Sequence, residues 1–454
     1  MKKWWFSLLC FACLSFTLQA EEPWSLERCV KYAYENNLQL KQQVLSSMLS
    51  KNNLLQSKLN LLPTLNGSAG YNVNKGRALD QTTYQFIEGE TVKGSNFSIN
   101  SSATLFAGFQ KINTIEENRY TYLAALQNVE KLKNDLALNI ASVYLEILNY
   151  REQVKVAEDQ LALTRLQIDR TRKLVEAGSS PEGDLLNIEA QGAQEESNLI
   201  AYQNGLDIAM LTLVQLLDLG AGEGFSVVVP DFSAYVPVDL AFSSEDIFKT
   251  ARETFPQIKS ASYNIKSADK ALSVAKAGFS PRLSLASSWS SSYSSTRQKV
   301  IAIDESGMPI YGPYSFSDQF NNNQNWSFGL NLSVPIFNGW QTRTSVDNAK
   351  IQRENARLQY SVAENQLFKD IQQSYIDALA AWKKFLSSEK SVQAQQEAFR
   401  YTEQKYEVGL VQFVEYSTAK NKLSLAQSEL IQSKYNYIFR TKVLDFYRNI
   451  PISL

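Results

Sequence analysis

Four runs of roughly ten residues alternate large apolar with small polar side chains. In the first, Leu65, Gly67, Ala69, Tyr71 and Val73 share one face, and Asn66, Ser68, Asn72 and Asn74 the other. In the second, Phe97, Ile99, Ala103 and Leu105 alternate with Ser98, Asn100, Ser102 and Thr104. Leu283, Leu285, Trp289 and Tyr293 alternate with Ser284, Ser288 and Ser292. Trp326, Phe328, Leu330, Leu332 and Val334 alternate with Ser327, Asn331 and Ser333. A half-buried soluble sheet also alternates, but its outer face carries Lys and Glu. Here the polar face is almost purely Ser, Asn, Thr and Gly, the chemistry of a water-filled lumen. About ten residues is also the length of a tilted strand that crosses a bilayer. Four such strands cannot stand alone in lipid, because an open edge leaves N–H and C=O groups where no water reaches them. Two chains would give eight strands around a filled interior, and three would give twelve around a lumen. The polar face favours the larger ring.

The strands belong to a plan that occurs twice. "AYENNLQLK" (33–41) matches "ARETFPQIK" (251–259), and the paired prolines Pro63 and Pro281 keep the same offset of 218. Beyond the strands the offset becomes 231: Phe106 pairs with Phe337, Gly108 with Gly339, Tyr144 with Tyr375, Gly178 with Gly409 and Asp184 with Glu415. The difference lies between the prolines and the aromatic turns, so the second copy carries a longer loop. The first unit spans 21–219, with a helix near 25–60, a β-hairpin 63–106, a long helix 107–176 and a helix 182–217. A segment 220–243 containing Gly220, Gly222, Gly224, Pro230 and Pro237 joins it to the second unit. That unit spans 244–454, with a helix near 244–278, a hairpin 281–337, a long helix 338–408 and a helix 412–448. Pro256 either opens a helix or breaks one.

The long helices are the second constraint. Leu136, Ile140, Val143, Ile147, Tyr150, Val154, Ala157 and Leu161 step by alternating fours and threes, a heptad seam. About 70 residues at 1.5 Å each reach roughly 105 Å, too long for an ordinary globular core.

Composition removes most chemistry. There are no histidines, so the commonest general base and transition-metal ligand are missing from the chain. Charge is balanced, 45 basic against 46 acidic residues, with no basic excess for nucleic acid. No phosphate-cradling glycine loop or metal-ligand cluster stands out. The acid pairs Glu116-Glu117 and Glu195-Glu196 read as solvated helix faces. No enzymatic activity and no cofactor are expected. Residues 1–20 read as a cleaved secretory signal, with Lys2-Lys3, an apolar run from Trp4 to Leu18, and Ala20 at the cleavage site. A membrane anchor or a lipoprotein at Cys13 fits less well. The remaining chain keeps Cys29 alone, which excludes an intrachain disulfide.

The duplicated plan, the Pro-initiated strands, the turns "LFAGF" (105–109) and "IFNGW" (336–340) and the stretch "YEVGLVQFVEYSTA" (406–419) together resemble the TolC outer-membrane factor family. The resemblance covers essentially the whole chain after the signal. It implies an α+β membrane protein: a homotrimer whose twelve-stranded β-barrel, four strands per chain, continues into a periplasmic α-barrel. It also implies an exit duct in the Gram-negative outer membrane with a large periplasmic portion, serving tripartite efflux or type I secretion. The implied partners are a periplasmic adaptor and an inner-membrane pump of RND, ABC or MFS type, with outer-membrane lipid around the barrel. An exported coiled-coil structural or adhesion protein is the alternative; it accounts for the helices and not for the strands.

Three groups of site residues follow. Phe106, Gly108, Phe337, Gly339 and Trp340 would turn the chain from strand to helix, glycine permitting a sharp change of direction and the aromatics lying near the membrane interface. Gly178, Val408, Gly409, Leu410 and Val411 would form helix tips that meet the adaptor. The first tip departs from the family's pattern at Ser179, Ser180 and Pro181. Asp184 and Glu415, each six residues past a tip glycine, are candidates for an anionic ring at the pore entrance. A first-turn acid favoured by the helix dipole is their other reading. The family's further acid one turn on is replaced by Thr418.

Overall fold

The computed structural model describes residues 23–79, 82, 84–220, 225–230 and 242–453. The expected signal segment and most of the inter-repeat segment, Pro237 included, lie outside these. The chain divides into two compact units. One comprises residues 1–43, 129–255 and 364–454; the other comprises 44–128 and 256–363.

The second of these contains the strands: β1 (Thr64–Leu79), β2 (Phe86–Ala107), β3 (Arg282–Ser294) and β6 (Asn325–Ser333). They form one antiparallel sheet in the order β1-β2-β3-β6. Its register puts the expected apolar residues on one face, with Ile99 opposite Trp289 and Trp289 opposite Trp326. Asn66, Asn100, Ser288 and Ser327 line the other face in one row. Serine hydroxyls join across it, Ser68 to Ser98 and Ser288 to Ser327, both at 2.8 Å.

Three strand expectations need correction. The first two strands run well past the expected ten or so residues, since β1 continues to Leu79 and β2 starts at Phe86. The second connection, 296–325, is folded: β4 (Gln298–Ile303) pairs with β5 (Pro309–Pro313), and a short helix α7 (Phe316–Asn322) follows. The strand expected to reach Phe337 stops at Ser333. Pro335 has no N–H for a ladder, and β6 has a neighbour on one side alone. A bulge at Leu105 also shifts the register, so that Phe106 lies opposite Leu283.

In this unit α6 (Pro256–Lys276) packs on α3 (Gln110–Glu176) and α8 (Gln341–Glu407). Leu272, Val346 and Ala349 form a small buried cluster. The Ser260 hydroxyl donates to Asn128 Oδ1 at 2.8 Å, and Tyr120 stacks on Tyr263.

The other unit is helical. The long helices α3 and α8 have 67 residues each, and the following helices α4 (Glu182–Leu216) and α9 (Phe413–Tyr447) have 35 each. Leu136, Ile140, Ile147 and Leu161 of the heptad seam are buried. So are Ala137, Ala141, Tyr144, Leu145 and Leu148, which makes α3 two-sided here. Cys29, Leu213 and Ile438 complete this core. The helix expected over 25–60 is two, α1 (Leu26–Asn36) and α2 (Leu38–Leu59). Asn37 breaks it. Its Oδ1 accepts from Leu40 N–H and its Nδ2 donates to the Leu216 carbonyl, both at 3.0 Å. The Asp218 carboxylate accepts from Leu38 N–H at 2.8 Å. Phe255 marks a similar break, between α5 (Ser244–Thr254) and Pro256, the first residue of α6.

Residues 225–230 are stitched down. Trp24 and Val227 form a parallel bridge, and the Tyr144 hydroxyl donates to Trp24 O at 3.0 Å and Val228 O at 2.8 Å.

Candidate functional site

The two strand-to-helix turns share an unusual backbone. Gly108 and Phe109 are consecutive left-handed residues, φ 60° and 61°; Gly339 and Trp340 repeat this at 61° and 69°. A left-handed residue with a side chain costs roughly 1–2 kcal/mol, so an aromatic held there twice is a fixed feature of the turn. The glycines differ in surroundings. A Cβ on Gly108 would collide with the Ser280 side chain, whereas Gly339 faces open space. Phe106 packs edge-on against Phe109, centroids 5.8 Å apart. Phe109, Phe337 and Trp340 are all more than half exposed. Sequence reasoning found the glycines and aromatics but not the second left-handed residue, because nothing in the composition of "GF" or "GW" marks it.

The two tips close alike. Gly178 N–H donates to Val175 O and Ser179 N–H to Leu174 O; Gly409 N–H donates to Tyr406 O and Leu410 N–H to Lys405 O. Both glycines have positive φ, 71° and 76°. This is the Schellman pattern expected of C′ glycines. Val408 and Leu410 are at least 70% exposed, while Val411 is half-buried. Behind the tips, Ile188, Phe413 and Tyr416 form a buried cluster, with Tyr406 stacked on Tyr416 at 4.8 Å. The Tyr416 hydroxyl accepts from Gln167 Nε2, and burial pushes its pKa up to about 12.

Asp184 and Glu415 both lie in first helical turns. Neither helix has a side-chain cap, since Pro181 and Gln412 occupy the N-cap positions. The acids therefore face uncapped helix starts. Asp184 is half-buried and accepts from Ser180 Oγ at 3.1 Å, and Glu415 is exposed.

Sequence reasoning missed a buried ionic cluster joining α3, α4 and α9. Lys420 Nζ lies 3.1 Å from Glu195 Oε1, with side chains 8% and 11% exposed. Lys420 also donates to Thr164 Oγ1, and Thr164 donates to Glu195 Oε2 at 2.5 Å. Gln191 Nε2 donates to Glu195 Oε1, and Ser417 donates to Gln191 Oε1 at 2.6 Å. Glu195 is thus no solvated surface acid; Glu196, paired with Arg165 at 3.4 Å, is one. Glu117 also departs from that expectation: it is half-buried, and desolvation raises its pKa. Lys420 lies eleven residues past Gly409 on a polar stretch of α9, and polarity alone gives no hint of burial.

Among the described residues there is no cluster of His, Cys, Asp and Glu suited to a metal ion, and no helix long and apolar enough to cross a membrane. A model of the outer membrane efflux protein family matches residues 30–218 and again 247–443. The chain belongs to the outer membrane efflux protein family. As a member it is an outer-membrane efflux channel with a large periplasmic portion; the adhesion-protein alternative is not favoured. Members of this family are ducts rather than enzymes. The efflux protein is 22% identical over 413 residues to toxin and drug export protein A of Aggregatibacter actinomycetemcomitans, covering 91% of this chain and 83% of the relative. It is 22% identical over 421 residues to outer membrane protein TolC of Vibrio cholerae, covering 91% and 88%. Its fold matches a solved structure of CusC at TM-score 0.79 with 19% identity, over 94% of this chain and 92% of that one. It matches the Vibrio cholerae outer membrane protein VceC at 0.76 with 15% identity, over 93% and 95%.

Proposed function

We propose that three copies of this chain close a twelve-stranded barrel, and that the repeated unit with the boundaries given above supplies two strands each time. The carrying observation is the sheet order, which leaves β1 and β6 as edges with unpaired backbone. In lipid an edge must be paired, and a neighbouring copy offers the complementary edge. The apolar face fits contact with lipid: Leu65, Phe328, Leu330 and Leu332 are each more than 60% exposed. The helices carry matching bare seams. Leu45, Met48, Leu55, Leu59 and Leu62 on and just beyond α2, and Ile351, Leu358 and Val362 on α8, are exposed at heptad-like spacing.

The duct continues as a periplasmic α-barrel and conducts passively from an adaptor and an inner-membrane pump, of RND, ABC or MFS type. Exposed Val408 and Leu410, beside Gly409, are the adaptor-contact surface. Val411 and the first tip around Gly178 support it. Asp184 and Glu415 contribute six carboxylates to an anionic ring at the entrance. Relatives named for drug and toxin export and for TolC support efflux or type I secretion as the setting. Photo-crosslinking residues placed at 408 and 410 in living cells test the partner. Capture of a periplasmic adaptor is the expected result; capture of none, in cells where the channel is functional, contradicts the tip assignment.

A further inference from the structure

β3 is longer than its neighbour. Its pairing with β6 ends at Ser290 opposite Asn325, yet β3 continues to Ser294. Those last residues would present bare backbone toward the missing strand. Side-chain amides on and just past α7 take its place. Asn323 Nδ2 donates to Ser292 O at 2.6 Å. Gln319 Nε2 donates to Ser294 O, and Ser294 N–H donates back to Gln319 Oε1, both at 3.0 Å. Gln319 is fully buried, and the buried Ser291 hydroxyl donates to Phe320 O at 2.7 Å.

α7 also covers the apolar face. Phe320 packs on Phe97 at 5.3 Å and on Trp289 at 5.8 Å; Phe316 packs on Tyr293 at 5.3 Å. Phe97, Trp289 and Tyr293 share the face that carries Leu285, Phe328 and Leu330. The opposite side of α7 is polar: Ser317, Asn321 and Asn322 are exposed, and Asp318 accepts from Lys299 Nζ at 3.1 Å. A surface of carboxylate, amides and hydroxyl does not rest in hydrocarbon, which offers such groups no hydrogen-bond partners.

We propose that α7 is a collar on the outside of the barrel at its extracellular rim. It ends the lipid-contact surface of β3 and β6 at the Trp289–Trp326 pair, and turns its polar side to the headgroup layer of the outer leaflet. The placement rests on the barrel reading above, which makes the apolar face the lipid face. It gives the longer loop of the second repeat a role that the first repeat lacks.

Nitroxide labels on single cysteines test it, in the protein recovered after removal of the expected signal segment, with Cys29→Ala, reconstituted into vesicles of phosphatidylethanolamine and phosphatidylglycerol. Labels at Phe328 and Leu330 report the bare band; labels at Ser317 and Asn321 report the collar. The band labels are expected to relax with oxygen, and the collar labels, on the same face, with a water-soluble nickel chelate. Oxygen-dominated relaxation at 317 and 321 overturns the collar and leaves the barrel standing. Nickel-dominated relaxation at 328 and 330 overturns the barrel reading, and the collar with it. Adding Gln319→Ala should sharpen the Asn321 label's spectrum several-fold in mobility while leaving Phe328 unchanged; an unaltered Asn321 spectrum contradicts the amide's role as surrogate strand.

Discussion

The Lys420 ammonium and the Glu195 carboxylate meet at 3.1 Å inside the helical unit, joined by Thr164 and Gln191. The pair ties α9 to α3 and α4 behind the tips. Removing one partner from a buried pair leaves an uncompensated charge and costs about 3–5 kcal/mol, whereas a well-packed apolar replacement of both is near neutral. Lys420→Ala and Glu195→Ala are each expected to lower the unfolding free energy by that amount in denaturant titrations. Lys420→Met with Glu195→Leu should recover most of it. Equal losses in the double variant and the single ones would mean that the ion pair is incidental.

Much of this fold is legible in the sequence, and the reasons are local. Period-two alternation marks all four strands of the larger sheet, and Gly178 and Gly409 end the long helices where C′ glycines should. The unread parts depend on partners distant in sequence. The helix breaks at Asn37 because Leu216 O waits for the Asn37 amide 179 residues away, and Asp218 for the Leu38 N–H 180 residues away. Glu195 is buried because Lys420 arrives from another helix. α7 is seven residues long, too short for a hydrophobic period to register, and its Gln319 looks like any loop amide.

The turn glycines separate strain from contact. Gly108→Ala and Gly339→Ala both place a side chain in the left-handed region, at roughly 1–2 kcal/mol. Gly108→Ala adds a collision with Ser280. Heat-resistant protein recovered from outer membranes should fall for both and fall further for Gly108→Ala. The reverse order would contradict the crowding at Ser280.

Cys29 provides a chemical clock for the helical core. It is fully buried, and burial pushes its thiol pKa from 9.0 to about 12. A raised pKa keeps the thiol protonated in the folded state, so maleimide labelling between pH 7 and 9 should be far slower than that of the unfolded chain. The same shift makes its contribution to stability complete below pH 9 and lost as pH rises toward 12. Labelling of the folded protein as fast as that of the unfolded chain would contradict this burial.

The acidic ring is tested in planar bilayers. Asp184→Ala combined with Glu415→Ala should weaken cation preference and reduce block by divalent cations added on the periplasmic side. Unchanged selectivity and block would assign both acids to their helix starts alone.

On the proposed assembly, one chain is a fraction of a closed wall. Native mass spectrometry of the full-length protein, released gently from detergent, tests this most directly. An assembly of three chains that resists dissociation in SDS until heated is the expected result. A chain that stays monomeric and dissolves without detergent would contradict it.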